Sequence, residues 1–99
     1  MKHSEIFAKT IKFFKHHKWT KGEMHDRASN AYCLIGAMNK VQKAQNIHPE
    51  SETSPAQIYF EKTLRIADAI EFNDSTTTKR KDVIAALQIA HDCAVVEGK

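Results

Sequence analysis

The two cysteines and six histidines are the residues of this 99-residue chain best suited to nucleophilic chemistry. Cys33 and His91 both fall on the inner faces of predicted helices, so a thiol activated by an imidazole is conceivable. Asp92 or Asp74 would then orient the imidazole. No nucleophile motif surrounds these residues, and semi-buried Cys and His that only pack are far commoner. The sequence therefore predicts a protein that is not an enzyme.

The same residue types could bind a metal ion, but their spacing does not favour it. His16 and His17 are adjacent and point to different faces of a helix, whereas helical ligand pairs are three or four residues apart. His3, His25 and His48 are scattered along the chain, and neither cysteine belongs to a CxxC or CxxH pair. We predict no metal site and no cofactor.

The Asn73–Asp74 pair offers the clearest choice between a structural role and a site. Both side chains readily bond nearby backbone amides, so they can end one helix and organise the turn before the next. This hinge is the favoured interpretation. The alternative is a polar pocket for a small polar ligand or nucleotide, formed by Trp19, Gly36, Asn73 and Asp74.

The charge of the chain is unevenly distributed. Residues 1–21 carry six lysines against Glu5, a net of +5, and residues 50–78 carry six acids against Lys62 and Arg65, a net of −4. The basic end could contact phosphates or an acidic protein surface, although a solvated face is the commoner role of such a run. Its candidate surface residues are Lys9, Lys12, Lys15 and Lys18.

Composition and length indicate one globular domain over residues 1–99. The chain is 41% hydrophobic and 27% charged, with three glycines and two prolines, which is typical of a helical globular protein. Lysines interrupt every apolar run near the N-terminus, so no signal peptide and no membrane span is predicted. We expect a cytoplasmic protein that does not bind membranes.

Hydrophobic periodicity predicts four amphipathic helices, near residues 4–18, 30–45, 55–72 and 79–96, in a compact all-α domain. Ser4 is the expected N-cap of the first helix. Ser54, Pro55 and Gln57 form the expected capping box of the third. Gly36, in the middle of the second helix, indicates that another element approaches its backbone, with Trp19 or the loop around residue 73 as the candidates.

Four short motifs occur in order along the chain: "WTKG" at residues 19–22, "CLIGA" at 33–37, "FND" at 72–74 and "DVIAAL" at 82–87. Together they resemble a family of small helical proteins of unknown function from actinobacteria and bacteriophages, whose pattern is W-T-x-G, C-x-x-G-A and W-N-D. The resemblance covers residues 6–92. Phe72 replaces the family's usual tryptophan, and "STTTKR" replaces its usual turn after N-D. The resemblance implies a helical fold and a prokaryotic or phage origin, and it implies no activity.

The function most consistent with these features is binding to a protein partner through a charged surface. Either the basic first helix meets an acidic partner, or the acidic residues 50–74 meet a basic one. One alternative is a nucleic-acid-associated protein that uses the first helix. The other is the small-ligand binder described above. We expect a monomer or a small homo-oligomer, since Ile58, Ile89 and Val95 fall off the predicted core faces.

Overall fold

The computed structural model describes residues 1–44 and 53–99, with Ala44 described by its backbone only. The end of the second predicted helix, His48 and the acids Glu50 and Glu52 lie outside the described residues. The elements are α1 (His3–His16), β1 (Lys18–Trp19), β2 (His25–Asp26), β3 (Ala31–Tyr32), α2 (Leu34–Ala44), α3 (Pro55–Leu64), α4 (Ala69–Asp74) and α5 (Arg80–Glu97). None of these helices is long and apolar enough to cross a membrane.

A small mixed sheet between α1 and α2 corrects the all-α prediction to a mainly helical fold. Its strand order is β1-β3-β2, with β1 parallel and β2 antiparallel to β3. Two-residue strands are too short to show the alternating pattern that identifies a strand in a sequence. Because Ala31 and Tyr32 lie in β3, the second helix begins at Leu34 and not near residue 30.

The predicted third helix, residues 55–72, is in fact two helices. Arg65 ends α3 in the left-handed conformation, with φ at 56°, and its N–H donates to the carbonyl of Lys62 (3.2 Å). Asp68 then starts α4, because its carboxylate accepts the N–H of Ile70 (2.7 Å) and of Glu71 (3.3 Å). Apolar periodicity continued across this break, so it concealed the boundary.

The predicted helix starts agree with the observed ones to different degrees. Ser54 caps α3 as expected, since its hydroxyl accepts the N–H of Gln57 (3.2 Å), but the Gln57 side chain donates to Glu61 and not back to the cap. Ser4 lies inside α1 and not at its cap. The last helix, α5, begins and ends within one residue of the predicted 79–96. Local capping chemistry was therefore most informative where Pro and Ser occur together.

The core lies where α1 packs against α5 and α2, and where α3 covers α5. Aromatic side chains of α1 supply much of it, and Phe7 and Phe14 are 0% and 1% exposed. The other large side chains buried to the same degree are Phe60, Leu34, Met38, Leu87 and Val83. Burial of each such side chain contributes roughly 1.5–3 kcal/mol. This core fixes the ends of α1, α2 and α4 relative to one another.

Candidate functional site

Asn73, at the end of α4, is a fully buried amide that connects three parts of the chain. Its Oδ1 accepts the indole N–H of Trp19 (2.5 Å) and the backbone N–H of Leu34 (3.0 Å), the first residue of α2. Asn73 therefore bonds the N-terminus of α2 from 39 residues away. The prediction that Asn73 bonds nearby amides is wrong, because its backbone partners are distant in the sequence.

The amide nitrogen of Asn73 is equally occupied. It donates to the carbonyl of Thr20 (3.1 Å) and to Oδ1 of Asp74 (2.9 Å). An asparagine side chain has two donors and two acceptor lone pairs, so these four bonds use its whole capacity. We call Trp19, Thr20, Leu34, Asn73 and Asp74 the Asn73 linkage. The Asn73 side chain is therefore satisfied by the fold, which leaves it nothing to offer a ligand.

Asp74 continues the linkage to the turn after β1. Its Oδ1 accepts the N–H of Gly22 (3.0 Å), which has a left-handed φ of 82°. The neighbouring Lys21 ammonium donates to the carbonyl of Ser75 (2.6 Å). The Gly22 hydrogen bond, and then that from Asn73, lowers the pKa of Asp74 because both stabilise its ionised form. The carboxylate is thus held charged by the turn that it fastens.

Gly36 belongs to a separate contact. A Cβ at this position would lie 2.0 Å from the backbone oxygen of Met24, so only glycine allows the chain at residue 24 to pack on α2. The Met24 oxygen also accepts the N–H of Cys33 (3.2 Å). The sequence correctly indicated a close approach at Gly36, but the approaching residue is Met24 and not Trp19 or the loop around residue 73.

Cys33 caps α2, and in the described geometry its thiol is not paired with His91. Its Sγ accepts the N–H of Gly36 (3.3 Å), and burial raises the pKa of the thiol, which disfavours the thiolate. His91 instead donates through Nδ1 to Asp92 (3.0 Å) on the surface of α5. Among the hydrogen bonds of residues 1–44 and 53–99, none joins Cys33 to His91.

The histidines near the sheet take part in aromatic packing. His17 stacks on Phe13 at 3.9 Å between ring centroids, and His25 stacks on Tyr32 at 4.1 Å. Their ring nitrogens bond to the carbonyl of Phe13 (3.1 Å) and to Oδ1 of Asn30 (3.2 Å), respectively. In the part of the chain that the structure describes, no three His, Cys, Asp or Glu side chains form a metal-binding group.

A basic groove lies where α1, β1 and α5 meet. This open groove has a volume of about 550 Å³ and is lined by Phe14, Lys15, His16, His17, Lys18, Trp19 and Arg80. Arg80 donates a hydrogen bond to the Phe14 carbonyl at the end of α1, which fixes its guanidinium. Arg80 was missed by the sequence analysis, although "KRK" at residues 79–81 was a visible cluster of cations at a helix start.

The predicted basic residues Lys9, Lys12, Lys15 and Lys18 are all exposed. Within the described ranges no carboxylate forms an ion pair with them, and the single pair recorded there joins His91 to Asp92. We call these four lysines together with Arg80 the basic face. Because the ammonium groups are not neutralised by a described neighbour, this face keeps a local positive potential.

A family model described as a family of unknown function (DUF6197) matches residues 1–92. The chain belongs to this family. The matched residues include every member of the Asn73 linkage and the basic face. No curated protein and no solved structure matches the chain.

Proposed function

We propose that this family member is a small, non-catalytic cytoplasmic protein of prokaryotic or phage type that binds an acidic protein partner through its basic face. The observation that carries the proposal is a difference in how the two charged ends are used. The described acids of residues 50–74 mostly bond to the chain itself, whereas the lysines of α1 do not. The origin and compartment rest on the sequence motifs and composition alone.

The acidic end supports the fold more than it offers a docking surface. Glu61 accepts the N–H of Ala69 (2.8 Å) and the Gln57 amide (3.2 Å) through Oε2. Asp68 caps α4 and Asp74 fastens the turn at Gly22. A partner that paired with these carboxylates would compete with hydrogen bonds that hold helix ends. The basic end is therefore the better docking surface.

The basic face combines long-range attraction with one rigid anchor. Exposed lysines steer an oppositely charged partner and mainly raise the association rate. Arg80 adds a guanidinium that is already held by the Phe14 carbonyl, so less side-chain entropy is lost when it binds a carboxylate. The groove beside it can take an acidic side chain of the partner.

A nucleic acid is the second candidate partner, and one observation favours it. Trp19 lines the basic groove, so an aromatic face accompanies the positive charge there. Stacking on an aromatic side chain combined with phosphate contacts is the usual mode of single-strand binding. Such binding would weaken steeply with salt and show little sequence preference.

The test is a pull-down with tagged protein from bacterial lysate, with and without nuclease, followed by binding measurements on the purified partner. Lys15→Gln/Lys18→Gln is compared with Lys62→Gln/Lys81→Gln, which removes the same charge from exposed positions on α3 and α5. We expect a stoichiometric acidic protein whose recovery withstands nuclease and is lost only with Lys15→Gln/Lys18→Gln. Recovery that disappears with nuclease would move the assignment to nucleic acid, and equal loss in both variants would rule out the basic face.

A further inference from the structure

A second concave site lies on the other side of the small sheet, between the β2–β3 hairpin and α2. It encloses about 340 Å³, near the lower end of the range for small-molecule sites. Its polar lining comes from His25 and Arg27 of the hairpin and from Asn39, Lys40 and Lys43 of α2. We call it the hairpin pocket. We propose that it binds a phosphate ester with a small planar group, independently of the partner proposed for the basic face.

The walls of the hairpin pocket are held in place by the backbone. The carbonyl of Met24 lies over Gly36 and accepts the N–H of Cys33 (3.2 Å), which presses the start of the hairpin against α2. Pairing of His25 with Tyr32 continues the contact along β2 and β3. A site supported by a strand pair and a helix is more rigid than one formed by loops alone. The pocket is thus part of the fold.

The charge of the hairpin pocket points to an anion with more than one negative charge. Arg27, Lys40 and Lys43 all line it, and no acidic side chain is among its described lining residues. The nearby Asp26 is engaged locally, since its two oxygens accept from the N–H of Ala28 (3.1 Å) and the hydroxyl of Ser29 (2.8 Å). Like charges held together are unfavourable, and a bound anion relieves that repulsion.

Phosphate fits this arrangement better than a carboxylate does. A guanidinium presents a planar fork that pairs with two phosphate oxygens, and lysines add point charges at the remaining oxygen. Asn39 supplies an amide donor beside Lys40 and Lys43 on the same wall. Three cations and one amide match a phosphate monoester, which carries close to two negative charges at neutral pH.

The rest of the lining accommodates an organic group. The His25 ring lies flat on Tyr32, with 4.1 Å between centroids and 5° between planes, and its Nε2 donates to Asn30. This stack orients the imidazole at the edge of the pocket. Met24, which is 51% exposed, adds an apolar wall. An oriented ring and a flexible thioether beside the cations favour a planar group on the ligand.

The experiment titrates the full chain with inorganic phosphate and with adenosine monophosphate, followed by calorimetry and by amide chemical shifts. We expect saturable one-to-one binding, with the ester binding at least about tenfold more tightly than phosphate. Arg27→Gln and Lys40→Gln/Lys43→Gln should each lower the affinity for the ester by about tenfold or more. His25→Ala should remove the preference for the ester and leave phosphate binding intact.

The control is Lys62→Gln/Lys81→Gln, which removes two exposed charges outside the pocket and the basic face and should bind both ligands as the unchanged protein does. An equal loss in this variant would mean non-specific attraction and would overturn the pocket. Absence of saturable binding up to about 10 mM ligand would also overturn it. Equal affinity for phosphate and for the ester would overturn the claim that the pocket recognises a planar group. None of these outcomes alters the pull-down result, so this inference and the proposed function fail separately.

Discussion

The Asn73 linkage and the basic face are both rich in polar groups, but they differ in burial and in hydrogen bonding. Asn73 is completely buried and all four of its hydrogen-bonding positions are filled by the chain. The lysines of α1 are exposed and make no ion pair with any described residue. The residues that look most like a site in the sequence therefore hold the structure together. The residues that look like an ordinary solvated surface are the ones available to a partner.

The largest expected effect comes from breaking the Asn73 linkage. Asn73→Ala leaves the Trp19 indole, the Leu34 N–H and the Thr20 carbonyl without their partner. Each buried group that loses its bond costs about 1–3 kcal/mol, so we expect the free energy of unfolding to fall by about 4 kcal/mol. Urea unfolding measures it. Asn39→Ala, at a partly exposed position on α2, is the control, and a loss below about 1 kcal/mol in Asn73→Ala would contradict the structural role.

Gly36→Ala tests the second internal contact, where Met24 packs on α2. The added Cβ would meet the Met24 carbonyl at 2.0 Å, so the hairpin must move away from the helix. We expect a loss of about 2–3 kcal/mol of unfolding free energy, as for overpacking in a core.

Gly22→Ala is the matched comparison for this variant. Nothing lies within 4 Å of a Cβ at Gly22, so only its positive φ opposes the change, at a cost of about 1 kcal/mol. Both variants are followed by thermal and urea unfolding. Equal losses in the two would show that the hairpin yields easily, and would remove the steric explanation for Gly36.

The Asp74 carboxylate gives the linkage a pH dependence. Its folded pKa is lowered, chiefly by the Gly22 N–H, so its contribution is fully present above the unfolded pKa of about 3.9 and is lost as the pH falls through the folded pKa. We expect Asp74→Asn to be less stable than the unchanged protein at pH 7, with the difference shrinking below about pH 4. Unfolding at several pH values measures this, and a difference that grows in acid would contradict it.

The smallest expected effect on stability belongs to the basic face. Lys15→Gln/Lys18→Gln should change the free energy of unfolding by no more than about 0.5 kcal/mol, because exposed charges without partners contribute little. The same variant should lose partner binding. If thermal unfolding shows a large destabilisation of this variant, the lysines stabilise the fold as Asn73 does. The proposed difference between the two regions would then be wrong.

Much of the helical framework could be predicted because its signals are local. The start of α3 follows from Ser54 and Pro55, the bounds of α5 follow from its periodicity, and Gly22 has the left-handed turn conformation expected of it. Residues placed off the core faces are indeed exposed, with Ile58 at 42%, Ile89 at 51% and Val95 at 56%. The break at Arg65 and the start of α2 were missed. The cap formed by Asp68 begins a new helix, and the short strand β3 delays the start of α2. Neither feature interrupts the apolar pattern of the sequence.

The sequence by itself therefore determined a mainly helical chain, the ends of several helices, the faces that enter the core and the separation of basic and acidic segments. The helices and their faces depend on residues within about one helical turn of each other. Only the tertiary structure decided that Asn73 bonds to Trp19 and Leu34, that Met24 covers Gly36, and that Arg80 completes the basic face. The hydrogen bonds of Asn73 and Arg80 among these contacts join residues that are 39 to 66 positions apart in the sequence. The packing of the core decides which residues meet at such distances.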